Sequence, residues 1–295
     1  METLRAIGVM VLSMALLATS DAFIKLASRH APVGEIMLLL SVGGTLLFML
    51  VSTLRGVPLR LRDAISPKVM LRNAFEIVGA IGMLVGLSKI PLSLMAAILQ
   101  AAPLVVTLGA AIFLREPVGW RRWAAIAVGM TGMLMVVRPF GADFSGWELF
   151  AVFGVIGLAA RDLVTRVIPP EMPALAISTF GFASVMPVGL LMTLLSDAPV
   201  STHPMVFVYM GCAVVVTTGG YLAVTAAMRM APVSSVAPFR YTRLVFTTGL
   251  GMAVFSERPD GWTLAGAALI LSAGLYTFLR ERRLARNASL AVLEP

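Results

Sequence analysis

Charge is scarce in this chain of 295 residues: Lys, Arg, Asp and Glu together make up 13%, about half of what a soluble globular domain carries. With 59% apolar residues and a mean hydropathy of +0.93, too few polar side chains remain to cover a water-facing surface. An ordinary cytosolic enzyme and a disordered chain are both excluded. Cysteine is nearly missing: Cys212 stands alone, so neither an internal disulfide nor a cysteine-based metal site can hold the fold. Histidine is limited to His30 and His203, in different loops with no second ligand near either. No Gly-Lys dipeptide occurs, which removes a Walker-type nucleotide loop, and no Gly-x-Ser-x-Gly elbow marks a hydrolase. No enzymatic activity, cofactor or metal is expected.

What is present is apolar sequence in long runs. Ten can be read, at residues 4–28, 33–54, 69–88, 92–114, 123–137, 147–167, 174–195, 204–228, 233–255 and 262–279, with Pro, Gly and charge at the junctions. A membrane helix needs about 20 residues, so ten spans leave short connections and no room for an aqueous domain. Runs this long without polar alternation cannot be barrel strands, and lipid offers no partner to an unpaired backbone group. The first run has the outline of a signal peptide, with Arg5 ahead of it and small residues at Ala18, Thr19 and Ser20. Its place in an internal repeat favours a retained span.

Sliding the chain against itself by 141 residues aligns Asp21 with Asp162, Lys25 with Arg166, Gly79 with Gly220, Pro91 with Pro232, Ser93 with Ser234 and Glu116 with Glu257. One inserted residue later, Gly119-Trp120 meets Gly261-Trp262. The chain therefore reads as two five-span units, residues 1–141 and 142–280, followed by a basic tail, 281–295. An odd number of spans per unit forces the second into the membrane upside down, as an inverted repeat. With both termini cytoplasmic, sixteen basic residues fall on the inner side, Arg72 and Arg161 among them, five fall outside, and Arg240 and Arg243 are buried. The expected location is a bacterial-type inner membrane, and the tail from Arg280 to Arg286 meets anionic headgroups rather than nucleic acid.

The Pro91-Leu-Ser and Pro232-Val-Ser openings of spans four and nine, the Glu116 and Glu257 that close those spans, and the Gly-Trp starts of spans five and ten resemble the drug/metabolite transporter superfamily, specifically its EamA-type members. Length and aromatic placement are similar to the YddG-type amino-acid exporters. The resemblance implies a basket of helices around a central cavity, built mainly by spans one, three, four, six, eight and nine, with amino acids as cargo.

Span nine carries the strongest site signal, because Pro238, Arg240, Tyr241 and Arg243 interrupt an otherwise apolar helix. Arg243 lies about 15 Å along it, near the bilayer midplane, with Arg240 on the same face. Charges at that depth must face protein or water. Arg243, helped by Arg240, is placed to bind a cargo carboxylate through paired hydrogen bonds, with Tyr241 supplying a face; an internal ion pair locking two spans together is the competing reading. Span three offers Phe75 and Glu76, the latter for an ammonium or a coupling proton, although Arg72 one turn earlier makes an ordinary helical pair. Asp21 with Lys25 and Asp162 with Arg166 form i, i+4 pairs at opposite ends, read either as alternating gates or as helix-end pairs. Gln100 aligns with Tyr241, Pro103 and Pro238 break matching helices, and Tyr221 follows two glycines in span eight. Gly82-x-x-x-Gly86 reads as a close-packing surface and the four tryptophans as interfacial anchors.

The expected fold is thus an all-α, ten-span membrane protein, and the expected function is export of amino acids, aromatic and large apolar ones included, by alternating access. A carrier of another metabolite class and a non-transporting membrane subunit are the alternatives. The expected partners are the cargo and membrane lipids; a monomer is compatible with this reading.

Overall fold

In this computed structural model the structure describes residues 2–115, 119–141, 144–231 and 233–291, the side chains of 233, 234 and 281–291 excepted. The expectations placed on Glu116 and Pro232, and on the side chains of Ser234 and the tail arginines at 282, 283 and 286, lie outside what the structure describes.

Helix covers every apolar run. In chain order these are α1 (Glu2–Ala27), α2 (Val33–Leu54), a short α3 (Leu61–Ala64), α4 (Pro67–Lys89), α5 (Leu92–Leu99), α6 (Ala102–Phe113), α7 (Trp120–Val137), α8 (Trp147–Thr165), α9 (Ala174–Leu194), α10 (Pro204–Met230), α11 (Val233–Val236), a 3-10 segment (Ala237–Tyr241), α12 (Thr242–Phe255) and α13 (Gly261–Ala291). No strand occurs among the described residues. Seven stretches, with α5 and α6 taken together, are long and apolar enough to cross a membrane. Of the rest, α8 is interrupted by Arg161 and Asp162, and the run from 233 to 255 is broken by the 3-10 segment. The last helix runs past its apolar part through residue 291, so the basic tail begins as a continuation of α13.

The helices pack mainly in pairs, α4 with α8, α1 with α10, α2 with α9 and α7 with α13. Small residues decide how close each pair comes. A Cβ on Gly157 would stand 2.5 Å from the Gly79 nitrogen, and one on Gly82 would collide with the backbone of Gly154 and Phe150. The Gly82-x-x-x-Gly86 stripe is therefore a contact surface in which α8 lies directly on the α4 backbone. The α2–α9 pair uses Gly34 and Gly189 in the same way, each against the opposite backbone.

These contacts are antiparallel and sort the connections to two ends. One end, where α1 begins, gathers Arg55, Arg60, Arg62, Arg121, Arg166 and Arg229 and is called the basic end below. The other end, where α1 stops, is tied laterally. Glu35 Oε2 accepts from the Ser201 amide at 2.8 Å, Lys89 lies over the Trp147 ring, and Arg138 meets Asp260 at 2.5 Å. His30 and His203, expected to lie apart, stack with ring centroids 4.5 Å apart, because the antiparallel bundle brings the α1–α2 and α9–α10 turns together. The apolar core runs through the tied half, with Leu87, Leu92, Met95, Ile98, Leu104 and Ile270 fully buried.

Candidate functional site

Two broken helices shape the site. Between α5 and α6 the chain turns at Gln100 and Ala101, where the Gln100 amide divides between the Ala96 and Ala97 carbonyls at 3.3 and 3.2 Å. Pro103 follows within the first turn of α6, and without an N–H it cannot continue the ladder of α5. In the second copy Pro238 opens the 3-10 segment, which ends at Tyr241. The two prolines do not align, yet the breaks do, since Gln100 and Tyr241 are partners under the 141-residue shift.

Both breaks face a cavity of about 790 Å³. Of the residues singled out in the sequence, Asp21, Glu76, Gln100, Pro103, Asp162, Arg166, Tyr221, Pro238, Arg240, Tyr241 and Arg243 line it. Lys25 and Phe75 do not. The cavity face of α4 is Glu76, Ala80, Met83 and Leu84, a helical stripe that leaves Phe75 one position round the helix and outside the lining. Helices α2, α9 and α13 also contribute, through Met37, Phe182 and Thr277 among others, which widens the six-span basket implied by the resemblance.

Arg243 is not free for cargo. Its Nη2 donates to both Asp21 oxygens at 2.9 and 2.7 Å, and its Nε lies 3.3 Å from Oδ2. This bidentate pair joins α1 to α12, and the Asp21 side chain is only 4% exposed. The internal pair is therefore the arrangement observed, and Asp21 is not paired with Lys25 as the i, i+4 spacing predicts. Lys25 instead donates to the carbonyls of Leu87 and Ile90, at 3.2 and 2.5 Å. Those carbonyls belong to the end of α4, where the helix dipole favours a cation.

Glu76 is likewise occupied. Arg72 reaches Oε2 at 2.5 Å from the same helix, and Arg161 reaches Oε1 at 3.1 Å from α8. Arg161 also holds Asp162 Oδ1 at 2.7 Å. Arg72 and Arg161, assigned from the sequence to the inner surface, have side chains only 9% and 14% exposed. Both are held inside the bundle by these pairs, and Arg161 also lines the cavity.

Arg240 differs from all of these. It is exposed within the cavity wall and makes no ion pair with an acid among the described residues. Beside it the Tyr241 hydroxyl rests against Gly274, where any Cβ would clash. Opposite, Phe182 and Tyr221 stand edge to face with centroids 6.1 Å apart. One unpaired guanidinium, a half-exposed Asp162 and three aromatic rings around a mainly apolar hollow can bind a small molecule that carries an anionic group and an apolar body.

At the tied end α12 is joined to α5. Glu257, read from the sequence as a repeated residue that closes span nine, accepts from the Leu92 and Ser93 amides at 2.6 and 2.8 Å and from Ser93 Oγ at 2.8 Å. It thereby caps α5 from the end of α12 and satisfies donors that a helix start leaves open. Arg29 stacks on Phe255 next to this cap. The cavity wall includes Arg166, Ala237 and Phe278, all near the basic end.

A crystal structure that covers 95% of this chain, and is itself covered over 98%, shares the fold at a TM-score of 0.65 with 16% sequence identity. Among curated relatives, the riboflavin transporter of Rhizobium johnstonii is 28% identical over 74% of this chain and 72% of its own. The S-adenosylmethionine uptake transporter of Rickettsia bellii is 26% identical over 72% and 73%, and the pseudopaline exporter CntI of Pseudomonas aeruginosa 28% over 89% and 92%. The EamA-like transporter family matches twice, over residues 4–138 and 145–279. These matches span nearly the whole chain and fall one on each sequence copy, so the protein, a multi-pass membrane transporter of small molecules rather than an enzyme, belongs to the EamA-like transporter family.

Proposed function

We propose that the chain exports amino acids, aromatic and large apolar ones included, across an inner membrane by alternating access of two inverted five-helix units. The observation that carries this reading is Arg240, a guanidinium without an acidic partner, in the wall of a 790 Å³ cavity beside Tyr241. A charge held at such depth costs several kcal/mol unless water or a counter-ion reaches it, and a cargo carboxylate meets that need with two parallel hydrogen bonds. The ammonium goes to Asp162, whose side chain is 42% exposed while Oδ1 is held by Arg161. The apolar side chain lies among Phe182, Tyr221 and Tyr241.

The inverted arrangement of ten spans is supported by contacts that recur under the 141-residue shift. Gly79 packs on Leu158 and Gly220 on Leu17; Glu76 meets Arg161 and Thr217 meets Ser20. Each partner in one contact is the shifted equivalent of a partner in the other. Lateral ties at one end and cavity residues near the other, the basic end, which charge bias assigns to the cytoplasm together with both termini, fit one state of an alternating-access cycle; export as the direction rests on the resemblance alone. Lys25 and Glu257 act as the gate on the tied side and Arg166 on the basic side.

A second reading is favoured by the cavity's size, which exceeds what one amino acid fills: a larger acidic metabolite with an aromatic part. Purified protein in liposomes separates the two. Saturable, accelerated efflux of radiolabelled aromatic amino acids is expected, and Arg240→Ala should slow it about tenfold or more, the cost of losing a charged hydrogen-bond partner. Efflux no faster than from protein-free liposomes for every amino acid would remove the amino-acid reading.

A further inference from the structure

A second hollow, of about 250 Å³, opens between α2, α9 and α10 at the basic end and shares only Tyr221 with the wall of the larger cavity. We propose that it is a binding site for the headgroup of an anionic phospholipid. Arg55, just past the end of α2, and Arg229, in the last turn of α10, stand in its wall. Both are exposed, and neither pairs with an acid among the described residues. Two guanidinium groups at the mouth suit a phosphodiester, which each can meet with paired N–H donors. Ser178 adds a hydroxyl that makes no hydrogen bond among the described residues. The remaining wall is apolar, with Phe48 and Leu222 prominent, so the pocket suits a headgroup joined to a hydrocarbon body better than a fully hydrated anion.

Lipid rather than free phosphate is favoured by what adjoins the pocket. All three helices are long and apolar enough to cross a membrane. Phe48 on α2 and Arg55 just past its end are seven residues apart and so share the face that lines the pocket. The acyl chains can leave past the apolar wall at Phe48 and Leu222 while the phosphate sits between the arginines, the usual geometry of basic pockets between membrane helices.

The pocket also touches the cargo cavity. Tyr221 forms part of both walls, and its ring meets Phe48 and Phe182 edge-on at 6.2 and 6.1 Å. A headgroup beside Phe48 therefore stabilises one position of the tyrosine that lines the cargo site.

The test is a thermal-shift titration of the full-length protein in neutral detergent with phosphatidylglycerol, with phosphatidylcholine and inorganic phosphate as separate arms. Phosphatidylglycerol should raise the melting temperature, and neither control should match it at equal concentration. Replacing Arg55 and Arg229 together by alanine should weaken the apparent affinity about thirtyfold, since each interfacial arginine contributes roughly a fivefold factor. Ser178→Trp, which fills the pocket and leaves both charges, should abolish the shift. Arg60→Ala with Arg62→Ala, outside the pocket on the same face, should leave it as in the wild type. The proposal is overturned if the Arg55/Arg229 variant or Ser178→Trp titrates like the wild type, if Arg60/Arg62 accounts for the loss, or if inorganic phosphate reproduces the effect.

Discussion

The α4–α8 and α1–α10 crossings are built on equivalent positions of the two sequence copies, and they differ in the polar contact beside the cavity. Both bring a glycine against a leucine, Gly79 on Leu158 and Gly220 on Leu17, with added Cβ atoms 2.8 and 2.9 Å from the leucine Cδ2. One turn away, the first crossing holds Glu76 with Arg161, and the second holds Thr217 with Ser20 at 2.5 Å. The apolar contact that sets the helix distance is copied, while the polar contact beside the cavity has changed from a hydroxyl pair to an ion network. Packing is thus the shared framework, and the polar position next to it is where the two halves acquire different chemistry.

That contrast can be broken most severely at Glu76. Glu76→Ala leaves Arg72 and Arg161 buried without their shared carboxylate and should destabilise the protein by about 3–5 kcal/mol, seen as a large fall in melting temperature in detergent. A next, smaller effect is expected at Gly82, whose shifted equivalent is Ala223. Gly82→Ala drives a methyl into the α8 backbone and should cost about 1–3 kcal/mol, whereas Ala223→Gly, inside α10, should cost no more than about 1 kcal/mol, the helix penalty of glycine. Thr217→Ala, the neutral counterpart of the Glu76 change, should cost about 0.6 kcal/mol, the average for a hydrogen bond between membrane helices. A loss at Thr217 as large as that at Glu76 would erase the distinction between the two crossings.

The smallest effect concerns the ties at the far end. Asp260 accepts from the Thr263 amide at 2.9 Å and pairs with Arg138. The Thr263 hydrogen bonds, then Arg138, hold its carboxyl below the ordinary value of 3.8. A depressed carboxylate value means that the contribution to stability is present above the unfolded value and is lost as pH falls through the folded one. Asp260→Asn should therefore be slightly less stable than the wild type at pH 7, with the difference shrinking below pH 3.8. A difference that grows on acidification would contradict the assignment.

Much of this organisation is legible in the sequence because it is written in periods and composition. Apolar runs locate the helices, Pro103 and Pro238 announce the breaks, and the 141-residue shift pairs Gln100 with Tyr241, where the breaks fall. Lateral partners are not legible. Spacing along a helix suggests Asp21 with Lys25, but the acid takes Arg243, 222 residues away, and the lysine takes backbone carbonyls, which have no sequence signature. The shift aligns Ser20 with Arg161 and Glu76 with Thr217, yet a search for similar residues passes over both, since the contact is kept while the chemistry is not. The sequence reads Arg240 and Arg243 alike as buried charges; that Arg240 is exposed in the cavity wall, and that it alone of the two lacks an acidic partner among the described residues, depends on the neighbouring helices.

The central claim is that Arg240 receives the carboxylate of the cargo, and the most direct measurement compares an amino acid with its methyl ester. In proteoliposomes, wild-type protein should transport phenylalanine in clear preference to phenylalanine methyl ester, corrected for leak through protein-free membranes. Arg240→Ala should lose most of that preference, about tenfold or more if one charged hydrogen-bonded contact is removed. An Arg240→Ala protein that is folded, transports, and still favours the acid as strongly as the wild type would contradict the account.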